Sequence, residues 1–126
     1  MNYTGTIIEE SLKDKGLLQD VKILKTRIEP VTPKDQTPWL KQWTLHKVEI
    51  PEDQVSKISE RISKGLDYDN GTSWYADYKN NQYHYIIFQD KIFQVDLENP
   101  GLYKEAREYG IALGIPEYQV DFKVTI

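Results

Sequence analysis

Apolar and polar residues alternate most regularly between Trp74 and Leu97, in the stretch WYADYKNNQYHYIIFQDKIFQVDL. Alternation with period two marks strands, and two short polar breaks divide this stretch into three of them. Asn80-Asn81 suits a two-residue hairpin loop, because asparagine tolerates the positive φ that primed turns require. That loop sets Tyr78 opposite Tyr83, Asp77 opposite His84 and Trp74 opposite Ile87. A second turn at Asp90-Lys91 sets Phe88 opposite Phe93 and Ile86 opposite Val95. Side chains point alternately to the two faces of a strand, so these pairings sort the residues by face. One face collects Ile86, Phe88, Phe93, Val95 and Leu97, with Tyr75, Asp77 and His84 toward the hairpin tip, and reads as core. The other collects Trp74, Tyr78, Tyr83, Tyr85 and Ile87 with Gln94 and Asp96. Polar-tipped aromatics among polar residues suit a face that meets water at least part of the time.

Upstream, YTGTIIEE at 3–10 predicts a short strand with Gly5 as a bulge. VKILKTRI at 21–28 predicts a second strand, reached through a turn-rich segment from Ser11 to Asp20. Pro30, Pro33 and Pro38 confine the following residues to a loop, and LKQWTLHKVEI at 40–50 predicts a third strand. A helix then starts at Pro51, where proline is tolerated, and Glu52 and Asp53 suit the positive end of its dipole. Val55, Ile58 and Ile62 form its apolar stripe, Ser56, Lys57, Glu60 and Arg61 its solvated side, and Lys64-Gly65 its end. A second helix has Asn99 as N-cap and Pro100 as first residue. Leu102, Tyr103, Ala106, Tyr109 and Leu113 line its packing face, Lys104 pairs with Glu108 outside, and Gly114 with Pro116 stops it. YQVDFKVTI at 118–126 alternates as a last strand.

These elements predict a single α+β domain over 1–126, an antiparallel sheet with two helices on one face. The nearest named arrangement is a ferredoxin-like core over about 40–126 with an added N-terminal β-hairpin. Val48-Glu49-Ile50 before the first helix echoes Val95-Asp96-Leu97 before the second, which raises a worn duplication of a unit of three strands and a helix.

A chain of 126 residues, 39% hydrophobic and 12% aromatic, can bury a core without cross-links. The absence of cysteine removes disulfides, thiolate nucleophiles and cysteine-held metals together, and points to the cytoplasm. There is no apolar run of membrane-spanning length and no leader-like pattern at the N-terminus. The net charge of −4 is interspersed, which disfavours nucleic acid, whose phosphates demand cations.

The strings WYADYKN, HYIIFQDKIFQVD and YGIALGIPEYQVDF, with TPWLKQWTLHKVEIPE before them, resemble a family of small uncharacterised bacterial proteins. The likeness covers nearly the whole chain, and GIPEYQVDF is its most specific part. The resemblance implies a small, soluble, intracellular bacterial protein, and it brings neither an activity nor a functional residue.

Phosphate loops, dinucleotide fingerprints, HExxH helices and GxSxG elbows are absent from the sequence, and NQYHYIIF lacks the glycines of an RNA-recognition octamer. Asp77 with His84 is the one arrangement of catalytic character, since a carboxylate fixes the imidazole tautomer and raises the basicity of the other nitrogen. The competing reading is a cross-strand polar pair contributing up to ~1 kcal/mol. Ser73 and Tyr75 are the nearby nucleophile candidates. His46 shares its parity with Val48 and Ile50 and reads as a core histidine, and a His46–His84 metal site lacks a third ligand. No cofactor is implied.

Three functions follow. The leading one is a non-enzymatic binding or regulatory module presenting Trp74, Tyr78, Tyr83 and Tyr85 to a protein partner or small ligand. The second is a small hydrolase-type enzyme using Asp77 and His84. The third is a single-stranded nucleic-acid binder stacking bases on the same four aromatics. A sheet with a bare face and open edges also predicts a homodimer.

Overall fold

The period-two segments become six strands in the computed structural model, which describes residues 1–33, 37–69 and 73–120. These are β1 (Tyr3–Ile8), β2 (Lys22–Pro30), β3 (Gln42–Ile50), β4 (Ala76–Lys79), β5 (Tyr83–Phe88) and β6 (Lys91–Asp96). Two helices, α1 (Val55–Gly65) and α2 (Leu102–Ala112), complete an α+β fold. All six strands join one antiparallel sheet in the order β2-β3-β1-β4-β5-β6.

The order corrects the finer topology drawn from sequence. β1 does not form an N-terminal hairpin with β2. It is inserted between β3 and β4, pairing with β3 from Tyr3↔Ile50 to Ile8↔Leu45 and with β4 through Thr4, Gly5 and Thr6. In a ferredoxin-like core over 40–126 a later strand would lie between the two strands joined by the first helix; here the N-terminal β1 takes that place, and β4, β5 and β6 follow one another as neighbours. The duplication fails for a related reason: the first three strands lie in the order β2-β3-β1, the next three in the order β4-β5-β6.

The hairpin registers each differ by two residues from the sequence reading. The Asn80 side chain accepts from the backbone N–H of Gln82 and of Tyr83, both at 2.8 Å, which moves the loop one residue on. Tyr78 therefore lies opposite Tyr85, Asp77 opposite Ile86 and Lys79 opposite His84. At the second turn Asp90 takes the positive φ, 58°, so Phe88 meets Lys91 and Ile86 meets Phe93. A slip of two keeps every side chain on its own face, so the sorting by face stands.

β5 is apolar at both parities, and five of its six residues are buried. Such a strand needs a cover on each side. α1 packs over Tyr3, Ile7, Val48, Ile50, Tyr78, Tyr85 and Ile87, through Val55, Ile58 and Ile62. α2 packs through Tyr103 and Ala106 over Ile86, Phe88, Phe93 and Val95. Consecutive residues such as Ile86 and Ile87 point to opposite faces. α1 and α2 thus pack into separate apolar clusters, one holding Ile87 and the other Ile86.

Polar groups in these layers are matched. Ser59 Oγ lies 2.5 Å from the Tyr78 hydroxyl, and Ser63 Oγ donates to the Phe88 carbonyl at 2.7 Å. α2 begins two residues after Pro100, and Asn99 bridges to Asp96 instead of capping. Its end is closed by Gly114 at φ 92°, with the N–H of Ile115 bonded to the Gly110 carbonyl and that of Gly114 to Ile111. Of the predicted last strand, residues 121–126 lie outside the described ones, and Glu117–Gln119 form a short 3-10 turn.

Coverage of the sheet is uneven. On the α1 face, Leu12, Leu17, Leu18 and Val21 from the β1–β2 connection extend the core. On the other face the buried cluster draws only on β5, β6, α2 and the segment after it. α2 packs at the β5–β6 end of the sheet, and β2, β3 and β1 lie toward the other end. That face of β2, β3 and β1 is left open among the described residues.

Candidate functional site: an open basic cradle

The open area is a cavity of about 620 Å³ whose lining includes Thr4, Thr6, Lys25, Arg27, Leu45, Lys47, Asp77, Lys79 and Asn80. Parity puts them there. β1 alternates Tyr3 and Ile7 toward α1 with Thr4 and Thr6 away from it, and the register carries this across the sheet. One row reads Lys25, Lys47, Thr6, Asp77, and the next reads Glu49, Thr4, Lys79, His84.

Four cations face this cavity in a chain of net charge −4. Arg27 meets Glu29 at 2.9 Å, both largely exposed, a pairing of little energetic weight. Lys25 and Lys47 stand directly opposite each other, with no carboxylate within ion-pairing distance among the described residues. Like charges directly opposed across strands are destabilising, and an anion between them removes that repulsion.

Asp77 is the carboxylate on the cradle's floor. Its Oδ2 lies 2.7 Å from Nε2 of His84, whose Nδ1 lies 2.7 Å from the Tyr103 hydroxyl. An ionised carboxylate only accepts, so Nε2–H donates to Asp77, and in that tautomer Nδ1 is left to accept from the Tyr103 hydroxyl. Burial, with the Asp77 charge adding to it, pushes the Tyr103 hydroxyl up to about 12. The structure brings Asp77 and His84 together as the sequence suggested, although on a diagonal and not face to face. His84 is 0% and Tyr103 3% exposed, so neither touches a molecule in the cradle, whereas Asp77 is about a quarter exposed. The candidate nucleophiles are engaged elsewhere: Ser73 donates to the Leu113 carbonyl and Tyr75 to that of Gln119. Burial, and then Asp77, raises the Tyr75 hydroxyl well above its ordinary value. The relay ties α2 to the sheet.

The aromatic face proposed for binding is core instead. Trp74, Tyr78 and Tyr85 are 5%, 0% and 6% exposed beneath α1, and Tyr83 is half-buried against the same cluster. Tyr78 and Tyr85 stack with ring centres 6.0 Å apart, and Tyr3 meets Tyr85 edge-on at 5.2 Å. Gly5 opposes Tyr78 at a point where an added Cβ would lie 2.0 Å from the Asp77 carbonyl oxygen, so only glycine fits. The exposed large aromatics among the described residues are Trp39 and Tyr118.

His46 is a satisfied core histidine, 2.8 Å from Thr26 Oγ1 and 2.9 Å from Glu9 Oε1. It pairs with Ile7 on the α1 face while His84 pairs with Lys79 on the other, so the two cannot share a metal. No group of three or more metal-ligating side chains occurs among the described residues. No described helix is long and apolar enough to cross a membrane.

Comparison with protein-family models, curated proteins and solved structures finds no match to this chain. Of the cradle side chains only Asp77 was a site candidate in the sequence reading, which followed the aromatic stretch. Their signal was present in the polar parity of the first three strands: Thr4 and Thr6, Lys25 and Arg27, Lys47.

Proposed function

We propose that this protein is a non-enzymatic binding module that engages a ligand or partner through the open face of β2, β3, β1 and β4. The observation that carries the reading is the 620 Å³ cradle of converging polar side chains on a face that α2 leaves bare. Its size falls in the usual range of small-molecule sites, about 300–1,000 Å³. Burial of His84 and Tyr103 weighs against a hydrolase, because an acid–base pair must reach the proton it moves. Burial of Trp74, Tyr78 and Tyr85 weighs against base stacking and against the aromatic face as the binding surface. The absence of cysteine supports a reducing compartment such as the cytoplasm, in keeping with the resemblance to small bacterial proteins.

A fragment screen followed by backbone amide NMR shifts tests the assignment. Hits should perturb Thr4, Thr6, Lys25, Leu45 and Lys47 as one group. Shifts centred on Trp74, Tyr85 and the facing side of α1, with Lys25 and Lys47 unmoved, would sink it.

A further inference from the structure

We infer that the cradle takes a small phosphorylated polyol, a ligand with a phosphate at one end and free hydroxyl groups at the other. The inference rests on the binding reading above and names its ligand class. Lys25 and Lys47 face each other across one strand pair, with Arg27 one step further along β2. A single carboxylate would leave this cluster under-neutralised, whereas a phosphate dianion is matched by several cations at once. The cavity is much larger than a bare phosphate, so the ligand extends beyond the anion.

Asp77 defines the far end. It lies in the same row as Lys47 with Thr6 between them, two strand spacings away, about 10 Å. His84 holds its Oδ2 at 2.7 Å and so fixes the carboxylate in place. A fixed carboxylate repels phosphate oxygens and accepts hydroxyl donors, so Asp77 beside Lys79 makes a mixed end suited to hydroxyl groups, against the cation-rich end at Lys25, Lys47 and Arg27. Leu45 gives the carbon skeleton an apolar contact. The lining includes no aromatic side chain, so a polynucleotide would find cations but no stacking surface among these residues.

The experiment is titration calorimetry at low salt with ribose 5-phosphate, ribose and inorganic phosphate. Ribose 5-phosphate should bind about tenfold more tightly than phosphate, the scale of one charge-assisted hydrogen bond, and ribose should not bind detectably. Lys47→Glu should abolish binding of both phosphates. Lys25→Glu, on an exposed edge strand where folding is not at risk, should do the same. Asp77→Asn keeps an acceptor for His84 but turns an amide donor toward the cradle. It should raise the affinity for phosphate and close most of the tenfold gap. Equal wild-type affinity for phosphate and ribose 5-phosphate, or a gap unchanged in Asp77→Asn, overturns the inference. If neither phosphate binds while fragment shifts still cluster on Thr6 and Lys47, the ligand class falls and the cradle stands. If the shifts cluster elsewhere, both fall.

Discussion

His84 has a partner on each ring nitrogen and no exposure, and that combination decides its role. A side chain at its position that cannot bond leaves the Tyr103 hydroxyl and Asp77 without their partner. His84→Leu should therefore lower stability by about 2–4 kcal/mol in urea unfolding, mostly the penalty of orphaned polar groups. Adding Tyr103→Phe should recover about 1 kcal/mol, because it removes one orphan. A double variant no more stable than the single one would show that the relay's cost lies in packing. Tyr103 also predicts a pH effect. Its folded pKa of about 12 stands above the unfolded value near 10, so its contribution is complete below pH 10 and is lost as pH rises through 12. Urea midpoints measured across that window should fall less steeply in Tyr103→Phe. At this scale the sequence was informative about neighbours and silent about exposure. Parity and turn residues put Asp77 beside His84, but whether water reached them depended on α2, a helix that starts 18 residues after His84.

Among the elements, β5 carries the main lesson. Its HYIIF run is apolar at both parities, and that called for covers on two sides, whereas an alternating strand would have called for one. Polar-tipped aromatics suggested a wet face, yet the Tyr78 hydroxyl is met inside by Ser59. Burial, the leading cause, raises the Tyr78 hydroxyl well above its usual range, with Ser59 opposing the shift. A binding surface and a core predict opposite results on truncation. Tyr78→Ala with Tyr85→Ala should lower the melting temperature severely, each aromatic deletion costing about 3–5 kcal/mol. A double variant melting like the wild type would remove α1 from this face. The serines at 59 and 63 were the missed clue: they share the helix side of Ile58 and Ile62, where a solvated helix would have gained nothing from them. What no local pattern could show was β1 threading between β3 and β4, because its partners lie 37 to 75 residues away in sequence.

For the whole molecule the open question is what the sheet edges do, since unpaired edge strands template association. β2 is such an edge, nine residues long, with Ile23, Leu24 and Ile28 exposed. Two devices guard it. The register breaks between Ile23 and Lys25, which interrupts a flat pairing surface, and Lys25 and Arg27 project beside it. Two copies joined antiparallel about Thr26 would set Lys25 of one against Arg27 of the other, like charge on like charge. A homodimer through this edge is therefore opposed by the same cations that line the cradle. Replacing both, Lys25→Val with Arg27→Val, leaves the backbone edge intact and makes it apolar. Sedimentation should then show the double variant moving from the 14.8 kDa chain mass toward larger species at concentrations where the wild type associates less. Salt at about 1 M, which shortens the screening length to about 3 Å, should shift the wild type in the same direction. If the variant stays at chain mass across the micromolar range at both salt levels, the break at Ile23–Lys25 suffices to guard the edge. The cations on β2 would then be there for the cradle alone.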